Sequence, residues 1–230
     1  MAVLLAWLVH LYTASSVLVG LWAVWASFAG QLQRAAFLML VALAIDATDG
    51  ALARAIDVRR RIPSLDGRRL DDICDYFTYV LVPTLFLLEA GLLPQPAWAA
   101  LPVLASAYGF SQTDAKTEDH FFRGWPSYWN VLAVYLHLLH ASQAVASIGV
   151  LICSIAIFVP LRYVYPSRTR TLRPLTLVVL GLWLVGLGAL VLQPQPRRLW
   201  VLLSLLGPAY YLGLSLALSR ARRPAGAGLP

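Results

Sequence analysis

Apolar residues run along this chain in long blocks, without the alternation of a half-buried strand or the narrow stripe of a surface helix. The blocks fall at about 2–29, 33–55, 68–90, 97–114, 128–140, 143–161, 173–192 and 198–219. A membrane span needs roughly 20 mostly apolar residues, and most of these blocks approach or exceed that length. The pattern predicts an all-α, polytopic membrane helix bundle of about eight transmembrane helices. Residues 1–219 read as a single transmembrane domain. Pro94, Pro96, Gly124, Pro126, Pro166, Pro194 and Pro196 punctuate the connections. Residues 220–230, basic and then rich in Gly and Pro, read as a disordered tail.

Composition reinforces the pattern. Of 230 residues, 60% are hydrophobic and 13% charged, about half the charged share of an ordinary soluble domain. The first block lacks a basic start and is too long for a signal peptide, so it reads as a retained span. Cys74 and Cys153 sit in or beside apolar blocks with no metal-ligand spacing, which predicts packing roles and no disulfide. The net charge of +7 does not point to nucleic acid, because the basic residues gather in short connections between apolar blocks. With eight spans, Arg34, Arg197 and Arg198 lie on one side and the other fifteen of the 18 Lys and Arg residues on the opposite side. That asymmetry makes the fifteen-residue side, which holds both termini, cytoplasmic.

Seven of the eleven acidic residues lie between Asp46 and Asp75. Asp46, Asp49, Gly50 and Ala53 recur at three- and four-residue steps and share one helical face. Gly67, Asp71 and Asp75 recur at four-residue steps and line a face of the next helix. Carboxylates at the edge of a membrane are costly and mark function. Two helices each presenting a pair of aspartates form a cluster that like-charge repulsion opposes. A hard divalent cation relieves it, and an all-oxygen donor set suits Mg²⁺ or Mn²⁺; four carboxylates can hold two ions. Gly50, Ala53 and Gly67 remove bulk beside the aspartates, and Arg54 adds a phosphate-binding cation.

The run Asp46-x₂-Asp49-Gly50-x₂-Ala53-Arg54, then Gly67-x₃-Asp71-x₃-Asp75, resembles the signature of the CDP-alcohol phosphotransferases. Every fixed position is present, although the spacer before Gly67 is longer than the family's usual one. The longer spacer, the stretch Ala6 to Ala14 and the stretch Phe121 to Asn130 resemble the bacterial branch that makes phosphatidylcholine. The resemblance implies transfer of the phosphatidyl group of CDP-diacylglycerol to choline with release of CMP. It also implies dependence on Mn²⁺ or Mg²⁺ and residence in the bacterial inner membrane with the site facing the cytoplasm. A homodimer is the assembly it suggests. Carried over, Asp46, Asp49 and Asp71 hold metal and the CDP diphosphate, and Asp75 is the general base and a further metal contact. Gly50, Ala53, Arg54 and Gly67 contact the CDP end.

A quaternary ammonium cannot donate hydrogen bonds and is recognised by aromatic faces and carboxylates. Candidates on the cytoplasmic side are Tyr12, Tyr79, Glu118, Trp125, Tyr128 and Trp129, with Trp7, Tyr76, Tyr108, Asp114 and Asp119 behind them. Aromatic belts at membrane interfaces have the same composition. His10, inside the first block, either bonds within the bundle or reaches the site. Two other readings compete. One is a related synthase using serine, inositol or glycerol phosphate. The other is a membrane cation transporter, which would place its acids near the midplane within repeated halves; no such repeat is visible.

Overall fold

The computed structural model describes residues 1–221. Two long helices, α1 (Ala2–Phe28) and α2 (Leu32–Ala55), form an antiparallel hairpin. A short helix α3 (Val58–Arg61) and helix α4 (Gly67–Asp75) follow. A π-helical turn, Tyr76–Leu81, joins α4 to α5 (Val82–Glu89). A 3₁₀ turn at Pro96–Ala99 leads into α6 (Ala100–Ser111). Then come α7 (Trp129–Leu138), α8 (Gln143–Phe158), α9 (Arg173–Val191), α10 (Arg198–Ser204) and α11 (Leu206–Ala221). Strands β1 (Phe121–Arg123) and β2 (Arg162–Val164) pair antiparallel, with Phe122 opposite Tyr163.

Helical segments occupy all eight expected blocks, but their lengths differ. Four are long and apolar enough to cross a membrane: α1, α2, α9 and the stretch Arg198–Arg220 that joins α10 to α11. The others are short or interrupted. Pro83 has no N–H to return to the preceding turn, and the π turn lies immediately before it, so the third block is a composite. Helix α7 is only 10 residues long. Residues 220–221 of the expected tail end α11, and the rest of that tail lies outside the described residues.

Helix α1 explains how the bundle closes. Ala6, His10, Thr13, Ser16, Gly20 and Ala23 recur at three- and four-residue steps and are buried, while Leu4, Leu11, Trp22 and Trp25 on the other face are exposed. Small residues let backbones approach where no hydrophobic drive exists between helices. A Cβ on Gly20 would lie 2.9 Å from Phe77 Cε1, so the π turn packs directly on the α1 backbone. Met39, Phe86, Leu87, Trp129 and Val134 fill the core of the bundle.

The long spacer before α4 is accommodated as structure. Asp57 adopts a left-handed conformation (φ 49°) that turns the chain into α3. Val58 and Ile62 then pack against Ala6 of α1, and Arg59, Arg60 and Arg61 face outward.

Candidate active site

The four aspartates converge between α2 and α4. Asp66 caps α4: its Oδ1 accepts from the backbone N–H of Arg68 at 3.0 Å and of Arg69 at 3.2 Å. The helix thus starts where Gly67, Asp71 and Asp75 share a face. Asp46, Asp49 and Asp71 each bring one carboxylate oxygen to within 4.8 Å of the others. Asp75 lies within hydrogen-bonding reach of Asp46. Thr13 of α1, whose hydroxyl donates to the Val9 carbonyl at 3.3 Å, stands near Asp49, which is 5% exposed.

These hard oxygen donors fit a divalent cation. Three carboxylates from two helices converge on one point, and each loses its repulsion from the others once a cation lies among them. The chain also brings a lysine to the cluster. Lys116 Nζ, from the loop after α6, lies 3.0 Å from Asp72 and 3.7 Å from Asp71. Burial disfavours its charge, but Asp72 and Asp71 outweigh that and hold its pKa above the ordinary lysine value. The spacing of the signature gave no hint of this lysine, which is an isolated basic residue in a loop.

The aromatic candidates separate. The Tyr79 hydroxyl donates to Asp46 Oδ2 at 2.6 Å, and its ring centroid is 5.9 Å from that of Tyr128. Tyr128 meets Tyr211 of α11 edge to face at 5.6 Å. Tyr211 donates to the Val164 carbonyl at 3.0 Å. Tyr165 lies within electrostatic reach of Lys116, Asp71 and Asp46, and burial pushes its phenol above the usual range. Tyr165 and Tyr211 were not foreseen, because each reads as an ordinary interfacial aromatic until the fold closes.

The structure does not bring the other candidates to the aspartates. Trp129 is fully buried, its indole N–H donating to Ser106 Oγ at 2.8 Å, and Trp125 packs edge-on against it. Tyr12 ties α1 to α2 through Thr48 at 2.8 Å on an exposed flank. Glu118 is exposed beside a cleft shared with His120 and Arg170. Asp114 and Asp119 are paired with Arg123 and Arg162, so the loop's acids hold the loop itself. Gly50 faces the Arg54 guanidinium, Gly67 abuts His10, and Ala53 packs with Ala6, Val58 and Ile62. Arg54 shares its electrostatic surroundings with Arg168 and Arg173.

A helical membrane bundle with a carboxylate cluster beside cations and tyrosines is the site of a membrane-embedded transferase. The chain belongs to the CDP-alcohol phosphatidyltransferase family, whose profile matches residues 6–160. Enzymes of this family generally use divalent metal ions. The chain is 38% identical over 226 residues to a phosphatidylcholine synthase of Legionella pneumophila, covering 93% of this chain and 87% of that one. It is 47% identical over 139 residues to one of Legionella bozemanae, covering 58% of this chain and 64% of that protein. It is 34% identical over 216 residues to one of Pseudomonas aeruginosa, covering 92% and 90%.

Proposed function

We propose that this chain transfers the phosphatidyl group of CDP-diacylglycerol to choline and releases CMP. The observation that carries this reading is the meeting of Asp46, Asp49 and Asp71 with Asp75 held against Asp46. The relatives' shared name supports choline as acceptor. Asp46, Asp49 and Asp71 are the residues that would hold Mn²⁺ or Mg²⁺, two ions in this reading, with Asp75 at the edge of the set. Held there, such a metal would supply charge neutralisation for the diphosphate and for the departing CMP.

Asp75 accepts the choline hydroxyl proton as that oxygen attacks the lipid-side phosphorus. A new P–O bond forms to choline, the bond to the CMP phosphate breaks, and its electron pair leaves with CMP. An aspartate is a weak base for an alcohol, so the proton moves late. Tyr79 orients Asp46 through its 2.6 Å hydrogen bond. Tyr128, Tyr165 and Tyr211 supply aromatic faces for the trimethylammonium beside the carboxylates. Gly50, Ala53, Gly67 and Arg54 receive the nucleotide end, and Arg168 and Arg173 draw in the acidic liponucleotide.

In the same reading residues 1–219 are one domain with eight membrane segments in a bacterial inner membrane. The site faces the cytoplasm, and the protein works as a homodimer. The test is CMP release by detergent-purified protein with CDP-diacylglycerol and Mn²⁺, offering choline, serine, inositol and glycerol phosphate in parallel. Release with choline alone is expected. Release with another alcohol would replace the acceptor and keep the chemistry. No metal-dependent release with any of them would end the enzyme reading.

A further inference from the structure

Among the described residues two buried side-chain polar atoms have no hydrogen-bond partner, His10 Nε2 and Asn130 Nδ2. Such atoms are rare in folded proteins and costly to leave unsatisfied. The Asn130 amide is already engaged at its other end, where Oδ1 accepts from the Val131 N–H at 2.8 Å. No hydrogen bond holds the His10 ring, and the residue is only 7% exposed.

Its place in the bundle is informative. His10 lies on the buried face of α1, one turn before Thr13, which stands near Asp49. A Cβ on Gly67 would come within 3.1 Å of His10 Cε1. The glycine is therefore what lets the imidazole press against the first turn of α4. Gly67 and Asp75 are eight residues apart on that helix, about 12 Å of rise. A choline hydroxyl delivered to Asp75 leaves no part of so small an acceptor near His10. A nucleoside phosphate whose phosphorus lies at the aspartates spans that distance.

We propose that His10 Nε2 hydrogen-bonds the cytidine monophosphate end of the liponucleotide, beside the small-residue floor of Gly50, Ala53 and Gly67. The inference rests on the reading of the site given above. His10 is then a substrate-binding residue that selects for the nucleotide and has no part in acceptor choice.

The experiment compares wild-type, His10→Leu and His10→Gln proteins in detergent. CMP affinity with Mn²⁺ is measured by calorimetry, together with KM for CDP-diacylglycerol and for choline and the melting temperature without ligand. His10→Leu should weaken CMP binding and raise KM for CDP-diacylglycerol about tenfold, the scale of one lost hydrogen bond. KM for choline and the ligand-free melting temperature should hold. His10→Gln, which places an amide nitrogen near the Nε2 position, should recover most of the loss. Unchanged CMP affinity in His10→Leu, with an active wild type, overturns the inference alone. If His10→Leu fails to fold, His10→Ala takes its place: tenfold weaker CMP binding supports the contact, and unchanged affinity refutes it. A wild type that neither binds nor releases CMP removes the functional reading and this inference with it.

Discussion

The Tyr79 hydroxyl donates a 2.6 Å hydrogen bond to Asp46 Oδ2, joining the π turn to the aspartate pair of α2. π turns are uncommon and recur at functional sites. Here the turn sits between Asp75 and α5, and it places Tyr79 and Asp75 against the same carboxylate. Tyr79→Phe removes the bond while conserving the buried ring. We expect kcat to fall by about tenfold to a hundredfold, the scale of a bond to a charged acceptor, with a melting temperature close to wild type. Unaltered turnover would show that Asp46 needs no such orientation.

Metal binding and proton transfer should separate genetically. Asp49→Asn breaks the carboxylate triad, so the electron paramagnetic resonance signal of bound Mn²⁺ should weaken along with CMP release. Asp75→Asn lies outside the triad, and should lose CMP release while keeping most of the bound Mn²⁺. Equal loss of Mn²⁺ in both variants would make Asp75 a principal ligand.

Lys116 is a resident cation beside Asp71, and a divalent ion must share that carboxylate with it. Replacing it by Met removes the competing charge. The Mn²⁺ concentration for half-maximal binding should then drop severalfold. An unchanged or higher concentration would mean that Lys116 organises the site more than it competes there.

Gly124 joins β1 to the segment before α7 with φ +79°, and its N–H donates to the Leu161 carbonyl at 2.8 Å. A Cβ there would collide with the Ile157 carbonyl. Gly124→Ala should lower stability by about 1–3 kcal/mol, read as a reduced melting temperature in detergent. A wild-type melting temperature would show that the turn can rearrange.

The aspartate geometry was legible because three- and four-residue spacing maps directly onto a helical face, and both faces are present as expected. The apolar blocks likewise located every helix but α3. Periodicity could not reveal the π turn, which inserts a register change within a continuous apolar run. Nor could it reveal α3: Val58 and Ile62 are two apolar residues in an otherwise polar spacer, and only the proximity of Ala6 gives them a core. The tyrosines were the least legible. Tyr12, Tyr128 and Tyr211 look alike in sequence, and long-range packing alone decides which of them stand near Asp46.

Tyr165 and Tyr211 lie beyond residue 160, where the family profile ends, yet Tyr165 stands within electrostatic reach of Asp46 and Asp71 and Tyr211 packs on Tyr128. In the proposed reading the phosphotransfer scaffold and part of the acceptor wall therefore belong to different stretches of the chain. For protein engineering this is a usable division of labour: libraries at Tyr165 and Tyr211 could explore new head groups while leaving the four aspartates untouched.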